Sequence, residues 1–253
     1  MELLAEGRTA EVFAYGVGRV LKLDRPEWNG LSVCEEGVLT ALAEAGLPVA
    51  RSHGTVTVDG RGGVVLDRVD GPSLLQVVTC AGPEEVDRLA GQFVALQLRC
   101  NRTTVAGLPD LLPRLHSEIE ASIPDGGLRT DLLALLDPLD DGGRGVCHFD
   151  FHPSNVLVGP DGWIVIDWLT VASGPSDADL ARTLVLWGQR STGSLGRFLR
   201  AVRREGQAQR GLGNDRLDAW VRIVAAARVA EGFEGEERAW LLRVADGLER
   251  LFA

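Results

Sequence analysis

The chain has 253 residues, 45% of them hydrophobic, which suits one large or two small domains with a sizeable core. Its 26 basic residues against 36 acidic ones leave a net charge of −10. That balance gives no broad basic footprint for a nucleic-acid backbone or an anionic membrane and favours cationic small molecules instead.

The first seventy residues read as strands around one helix, in the order β-β-β-α-β-β. Glu11–Tyr15 and Arg19–Leu23 are β-prone runs split by Gly16 and Gly18, a hairpin pattern. A helix is predicted from about Leu31 to Ala45, with Val38, Leu39 and Leu42 on one face and Gly46 ending it before Pro48. Thr55–Val58 and Gly63–Leu66 follow as strands around an Asp59-Gly60 turn. After Asp70-Gly-Pro72 the pattern is helical: Pro83–Arg99, Leu111–Ser122, Leu128–Leu136, Asp177–Gln189, Leu195–Glu205, Asp215–Ala230 and Glu234–Leu251 carry apolar residues at helical spacing. Only residues 146–169 interrupt these helices, with β-like pieces at Val156–Val158 and Trp163–Ile166. A two-lobed α+β chain is expected, with an N-terminal lobe over 1–69, a larger mainly helical lobe over 70–253 and a hinge near Leu66–Gly71.

Of the 26 basic residues, 25 are Arg and Lys22 is the only lysine. A bias toward Arg explains the 25, but lysine is a compact point charge on a thin stem, and a crowded phosphate site accepts it where a planar guanidinium does not fit. The four cysteines, Cys34, Cys80, Cys100 and Cys147, show no C-x-x-C spacing, which argues against zinc and against a disulfide framework and points to a reducing cytoplasm. Glu2 and Glu6 stand where a signal peptide would be basic, and no apolar run reaches the ~18–20 residues of a membrane span.

The strongest local signal is Cys147-His-Phe-Asp-Phe-His-Pro-Ser-Asn155, followed by Val165-Ile-Asp167-Trp. His148, Asp150 and Asn155 stand at H-x-D-x-x-x-x-N spacing, and Asp167 ends a β run twelve residues later. Phosphoryl transfer explains why these types recur together. It needs an aligned acceptor hydroxyl and cations against the phosphate oxygens, and little covalent help. A carboxylate takes the hydroxyl proton late, an amide and a second carboxylate are hard oxygen ligands for Mg²⁺, and a strand lysine held by a helix glutamate clamps phosphates. Lys22 and Glu35 or Glu36 occupy the last two places.

With these segments in order, the chain resembles the aminoglycoside phosphotransferase and choline kinase family of protein-kinase-like enzymes. The likeness spans nearly the whole chain, through Val20–Leu23, Glu36–Ala50, Leu66–Gly71, the 148–155 loop, Ile166–Trp168 and Asp179–Ala181. It implies a two-lobed protein-kinase-like fold and transfer of the γ-phosphoryl of ATP to a hydroxyl of a small cationic molecule, an aminoglycoside or other antibiotic first. Choline-, thiamine- or sugar-like acceptors stand second. It further implies that Asp150 is the catalytic base, that Asn155 and Asp167 bind Mg²⁺, and that the backbone of Asp67 and Val69 meets adenine. The family's spacing, twelve residues before Pro48, selects Glu36 as the partner of Lys22.

Three departures stand out. The phosphate-covering turn, Glu6–Ala10, has one glycine, which leaves Thr9 and nearby amides to cover the phosphates. Phe149 follows His148 where the family usually has Gly and protein kinases have Arg, and Trp168 follows Asp167 without a Gly hinge. Two rival readings are a transition-metal hydrolase built on His148, Asp150 and His152, and a non-catalytic nucleotide-binding relative. The acidic residues Glu231, Glu234, Glu236 and Glu237 read either as a pocket for a cationic acceptor or as a solvated helix start.

Overall fold

The computed structural model describes residues 1–189 and 192–252. The chain divides into two compact units, Met1–Leu74 with Ser154–Thr170, and Leu75–Pro153 with Val171–Ala253. A single cut at 69/70 therefore differs from the structure, because a hairpin from the middle of the sequence groups with the N-terminal residues.

The first unit is built on a five-stranded antiparallel sheet of β1 (Leu3–Glu6), β2 (Ala10–Ala14), β3 (Arg19–Asp24), β4 (Ser52–Val58) and β5 (Arg61–Asp67), in the order β1-β2-β3-β5-β4. Central strand β3 pairs Lys22 with Val12 on one side and Val64 on the other. Side chains alternate across a strand. Leu21 and Leu23 accordingly turn to the face they share with Val65 and, at its edge, Phe13, Tyr15, Val56 and Val58, while Lys22 and Asp24 turn to the other face.

Helix α1 (Leu31–Glu44) buries Ser32, Glu35, Leu39 and Leu42, a stripe at i, i+3, i+7 and i+10. The later hairpin of β7 (Val156–Gly159) and β8 (Gly162–Val165) joins this unit through backbone bonds from Val158 to Pro72 (2.9 Å) and from Val165 to Pro48 (2.8 Å). Gly71 permits the approach, since a Cβ there would lie 2.1 Å from the Val158 carbonyl oxygen.

The second unit contains α2 (Leu74–Cys80, apart from its first residue), α3 (Pro83–Asn101), α4 (Leu111–Ser122), α5 (Gly127–Leu136), α6 (Ser176–Trp187), α7 (Gly193–Arg210), α8 (Asn214–Arg228) and α9 (Gly235–Ala245). Phe93, Phe151 and Phe198 form its aromatic centre, with ring centroids 4.6 and 5.3 Å from Phe93. A short ladder of β6 (Gly145–Cys147) and β9 (Ala172–Gly174) lies among the helices. Both strands bring glycine to a tight approach: a Cβ on Gly145 would lie 1.8 Å from the Asn101 carbonyl oxygen, and one on Gly174 would lie 2.7 Å from Leu111 Cβ. Among the described residues no helix is long and apolar enough to cross a membrane.

Candidate functional site

The residues singled out in the sequence fall into two clusters, one in each unit. In the first, Lys22 Nζ donates to Glu35 Oε1 at 2.9 Å and Asp167 Oδ1 at 3.0 Å, and lies 2.7 Å from Glu35 Oε2. Glu35 is 2% exposed. Burial pulls the Lys22 pKa down, but the charges and hydrogen bonds of Glu35 and Asp167 outweigh it and raise the ammonium above its ordinary value. For Glu35, burial pushes the carboxyl up and Lys22 is the main force opposing it. The pair is mutually dependent, because either charge alone would be costly to bury.

The partner of Lys22 is thus Glu35 and not Glu36. Residues along a helix advance by about 100° each, and Glu35 shares the buried stripe with Leu39 and Leu42 while Glu36 lies one step round. Glu36 accepts instead from Thr40 Oγ1 (3.1 Å) and Ser52 Oγ (3.3 Å). The spacing to Leu39 and Leu42 is the signal that could have separated the two glutamates in the sequence.

Asp167 follows β8 with φ +64°, a left-handed conformation uncommon for a non-glycine residue. Its neighbour Ile166 donates through the backbone to the Asn155 carbonyl at 3.0 Å, so the loop before β7 and the segment after β8 run together. Trp168 anchors this turn: its ring is fully buried and its Nε1 donates to the Val165 carbonyl at 3.0 Å. The Asn155 amide and the Asp167 carboxylate are hard oxygen donors, the set a magnesium ion prefers.

Thr9 sits in the β1–β2 turn. Its carbonyl accepts from Arg25 N at 2.8 Å, and no hydrogen bond among the described residues joins it to Lys22, Glu35 or Asp167. At the end of β5, the Asp67 amide is committed to the Arg51 carbonyl (3.0 Å), and the Asp67 carboxylate lies 2.7 Å from His53 Nε2.

The second cluster surrounds Asp150. The His148 ring, fully buried, accepts the Asp150 amide on Nδ1 at 3.1 Å, which uses that nitrogen to shape the loop. Asp179 Oδ1 accepts from the Phe149 amide at 2.8 Å and Asp179 Oδ2 from Asn101 Nδ2 at 2.9 Å, so α3 and α6 both grip the loop. Arg182 Nε donates to the Phe149 carbonyl at 3.0 Å, and Thr183 Oγ1 donates to the Phe151 carbonyl at 2.6 Å. These bonds hold Phe149 at φ +60°. Its ring is 1% exposed, with the guanidinium carbons of Arg114 and Arg182 each 5.2 Å from its centroid.

His152 Nε2 lies 3.6 Å from Asp150 Oδ2, and the His152 ring meets Trp187 edge-on at 5.7 Å. Burial pushes the Asp150 carboxyl up, but hydrogen bonding and charge from His152, with His148 and Arg182 adding to it, hold it well below the ordinary range. Among the described residues, no three His, Cys, Asp or Glu side chains group as a metal site. His148, Asp150 and His152 thus do not form the transition-metal cluster that their alternation raised.

The acidic residues near α9 take mixed roles. Glu231 is bound by Arg182 and Arg228, and Glu237 pairs with Arg228 at 3.7 Å, while Glu236 and Glu237 fill the first turn of α9. Sequence reasoning missed these arginine partners because they come from α6 and α8.

A strand lysine held by a helix glutamate and a loop aspartate, with a buried Asp-containing loop in a helical unit, defines a kinase-like protein. The family model described as the phosphotransferase enzyme family, APH, matches residues 1–220. The chain belongs to that family and is a small-molecule phosphotransferase.

The aminoglycoside phosphotransferase APH(4)-Ia is 18% identical, with a TM-score of 0.70 over 97% of this chain and 91% of that one. A thermostable mutant of it, solved as a ternary complex with ADP and hygromycin B, is 17% identical and scores 0.71, covering 97% and 92%. Amicoumacin kinase hAmiN, in complex with AMP-PNP, Ca²⁺ and Ami, is 14% identical and scores 0.61, covering 97% and 86%. At these identities the structures share the fold. No curated protein matches the chain in sequence.

Proposed function

We propose that the protein transfers the γ-phosphoryl group of ATP to a hydroxyl of a small molecule, an aminoglycoside or another antibiotic before any other. One observation carries this reading: the only lysine of an arginine-rich chain is held between Glu35 and Asp167. Solved relatives of the same fold bind ADP with hygromycin B, and AMP-PNP with Ami, which supports a nucleotide and a small antibiotic as the two substrates.

In this reading Lys22 sets the α- and β-phosphates, with Glu35 fixing its ammonium. Asn155 and Asp167 would hold Mg²⁺, which supplies positive charge against the phosphate oxygens when bound. The acceptor oxygen forms a bond to the γ-phosphorus as the bond to the β–γ bridging oxygen breaks, and Asp150 takes the hydroxyl proton late in the step. The depressed pKa of Asp150 suits a late transfer, because the group is ionised and ready but weakly basic. With the Asp67 amide committed to Arg51, the Asp67 carbonyl and the Val69 amide are the groups that meet adenine. Thr9 covers the phosphates from its turn. Four free cysteines fit a reducing cytoplasm as the setting.

A second reading, a metabolite kinase for a choline-, thiamine- or sugar-like acceptor, is favoured by the commitment of Glu231 and Glu237 to Arg182 and Arg228. Those carboxylates are partly neutralised, which weakens the case for a highly cationic acceptor. ADP release measured across aminoglycosides, other antibiotics, choline, thiamine and amino sugars separates the two. Turnover confined to a metabolite would move the assignment, and no ATP-dependent turnover with any acceptor would contradict both.

A further inference from the structure

Helix α1 begins without a local cap. Its N-cap is Gly30, in a left-handed conformation at φ +107°, which offers no side chain, and no acidic residue stands in the first turn. The exposed amides of a helix N-terminus need acceptors, and a negative charge there is favourable. Here the acceptor comes from the sheet. Asp24 Oδ2 receives Gly30 N at 2.8 Å, Ser32 N at 3.2 Å and Ser32 Oγ at 3.0 Å, and the residue is 2% exposed.

Asp24 lies two residues after Lys22 on β3, so both side chains leave the same face of the sheet. Ser32 lies three residues before Glu35 on α1, so those two share a helix face. Strand and helix are therefore joined at two rungs, Asp24 to Ser32 and Lys22 to Glu35, about 6.6 Å apart along the strand and about 4.5 Å apart along the helix. The second rung is the charged pair of the candidate site. The first is a fixed hydrogen-bonded clamp that sets the height and rotation of α1 against β3.

The surroundings tighten the clamp. Asn29 Oδ1 accepts from Gly62 N at 2.7 Å, and a Cβ on Gly62 would lie 3.2 Å from Ser32 Oγ and 3.4 Å from Asp24 Oδ2. The start of β5 thus closes over the start of α1 and keeps the Asp24 carboxylate dry, where its hydrogen bonds count most.

We propose that Asp24 is a positioning residue: by clamping the first turn of α1 to β3 it holds Glu35 within reach of Lys22 and keeps the ammonium fixed. The catalytic consequence rests on the phosphate-binding role proposed above for Lys22, whereas the positioning is a property of the protein without nucleotide. The single lysine makes it directly measurable. Trace acetylation in the absence of nucleotide, read by mass spectrometry against the α-amino group, reports the protection of one ε-amine.

Asp24→Ala is expected to speed Lys22 acetylation by about tenfold, because the ε-amine is no longer held between its two carboxylates and opens to the reagent more often. Asp24→Asn, which keeps an acceptor oxygen and the shape, restores part of the protection, and Ser32→Ala, with one donor lost, raises the rate least. Circular dichroism selects folded variants, and Asp24→Asn and Ser32→Ala carry the test if Asp24→Ala does not fold. Acetylation within about twofold of wild type in every folded variant would overturn the proposal and leave Asp24 a simple helix cap. Faster acetylation with unchanged ATP kinetics would support the positioning and remove the phosphate-binding role of Lys22.

Discussion

Lys22→Arg is a conservative change by charge and, in this arginine-rich chain, by composition, yet the structure predicts a large loss of activity. Lys22 Nζ reaches two carboxylates at 2.7–3.0 Å from a side chain that is 13% exposed, in the middle of a central strand. A guanidinium is planar and spreads its donors over a fork, so it cannot put one nitrogen where the ammonium stands. It must push Asp167 away, leave Glu35, or carry its charge about 1 Å or more from the native point. A misplacement of that size costs on the order of 100-fold, or about 2.7 kcal/mol of transition-state stabilisation.

Folding should suffer less, since the charge stays with its partners and the added bulk costs about 1–3 kcal/mol. Initial rates of ADP release against ATP concentration, with the acceptor identified from the panel, give kcat and KM. A melting curve of the same preparation gives stability. A variant within about threefold of wild type in kcat/KM would refute the geometric argument, because it would show that charge alone suffices at this position.

Two further outcomes follow from the site. Glu35→Gln should lower kcat/KM by about tenfold to 100-fold by loosening Lys22, while Glu36→Gln should stay within about twofold; equal effects in the same ADP-release assay would contradict the assignment of the pair. His152→Gln removes the group that most opposes burial at Asp150, so the Asp150 pKa should rise. Because the folded pKa is depressed, its stabilising effect is present above the ordinary carboxylate value and is lost as pH falls through the folded one. The variant should therefore lose both stability and activity at a higher pH than wild type. Superimposable pH–rate and pH–melting profiles would refute the coupling.

Much of the site was legible because its chemistry is written in one short stretch. His148, Asp150 and Asn155 are fixed by spacing, and β3 and α1 follow from local alternation and helical period. The missing parts depend on partners distant in sequence. The choice between Glu35 and Glu36 is a question of helix rotation, settled by which stripe faces β3. The β6–β9 ladder pairs Gly145 with Gly174 and Cys147 with Ala172, partners far apart in sequence, with strands too short to leave a periodic signal, and only Gly145 and Gly174 hint at a close approach. The 154–170 hairpin looked like part of the second lobe because it follows the Asp150 loop directly. Its bonds to Pro48 and Pro72 place it in the first unit. Helix α9 stops at Ala245, short of the predicted Leu251, and Gly247 adopts φ +77° just beyond it.

The identity of the base is the centre of the account, and Asp150→Asn tests it most directly. The amide keeps the shape of the loop but cannot take a proton. With an acceptor from the panel, ATP-dependent phosphorylation should fall by about 10²–10⁴-fold while nucleotide affinity, measured by calorimetry on the same sample, stays unchanged. Turnover within about threefold of wild type in a folded, nucleotide-binding variant would contradict the account.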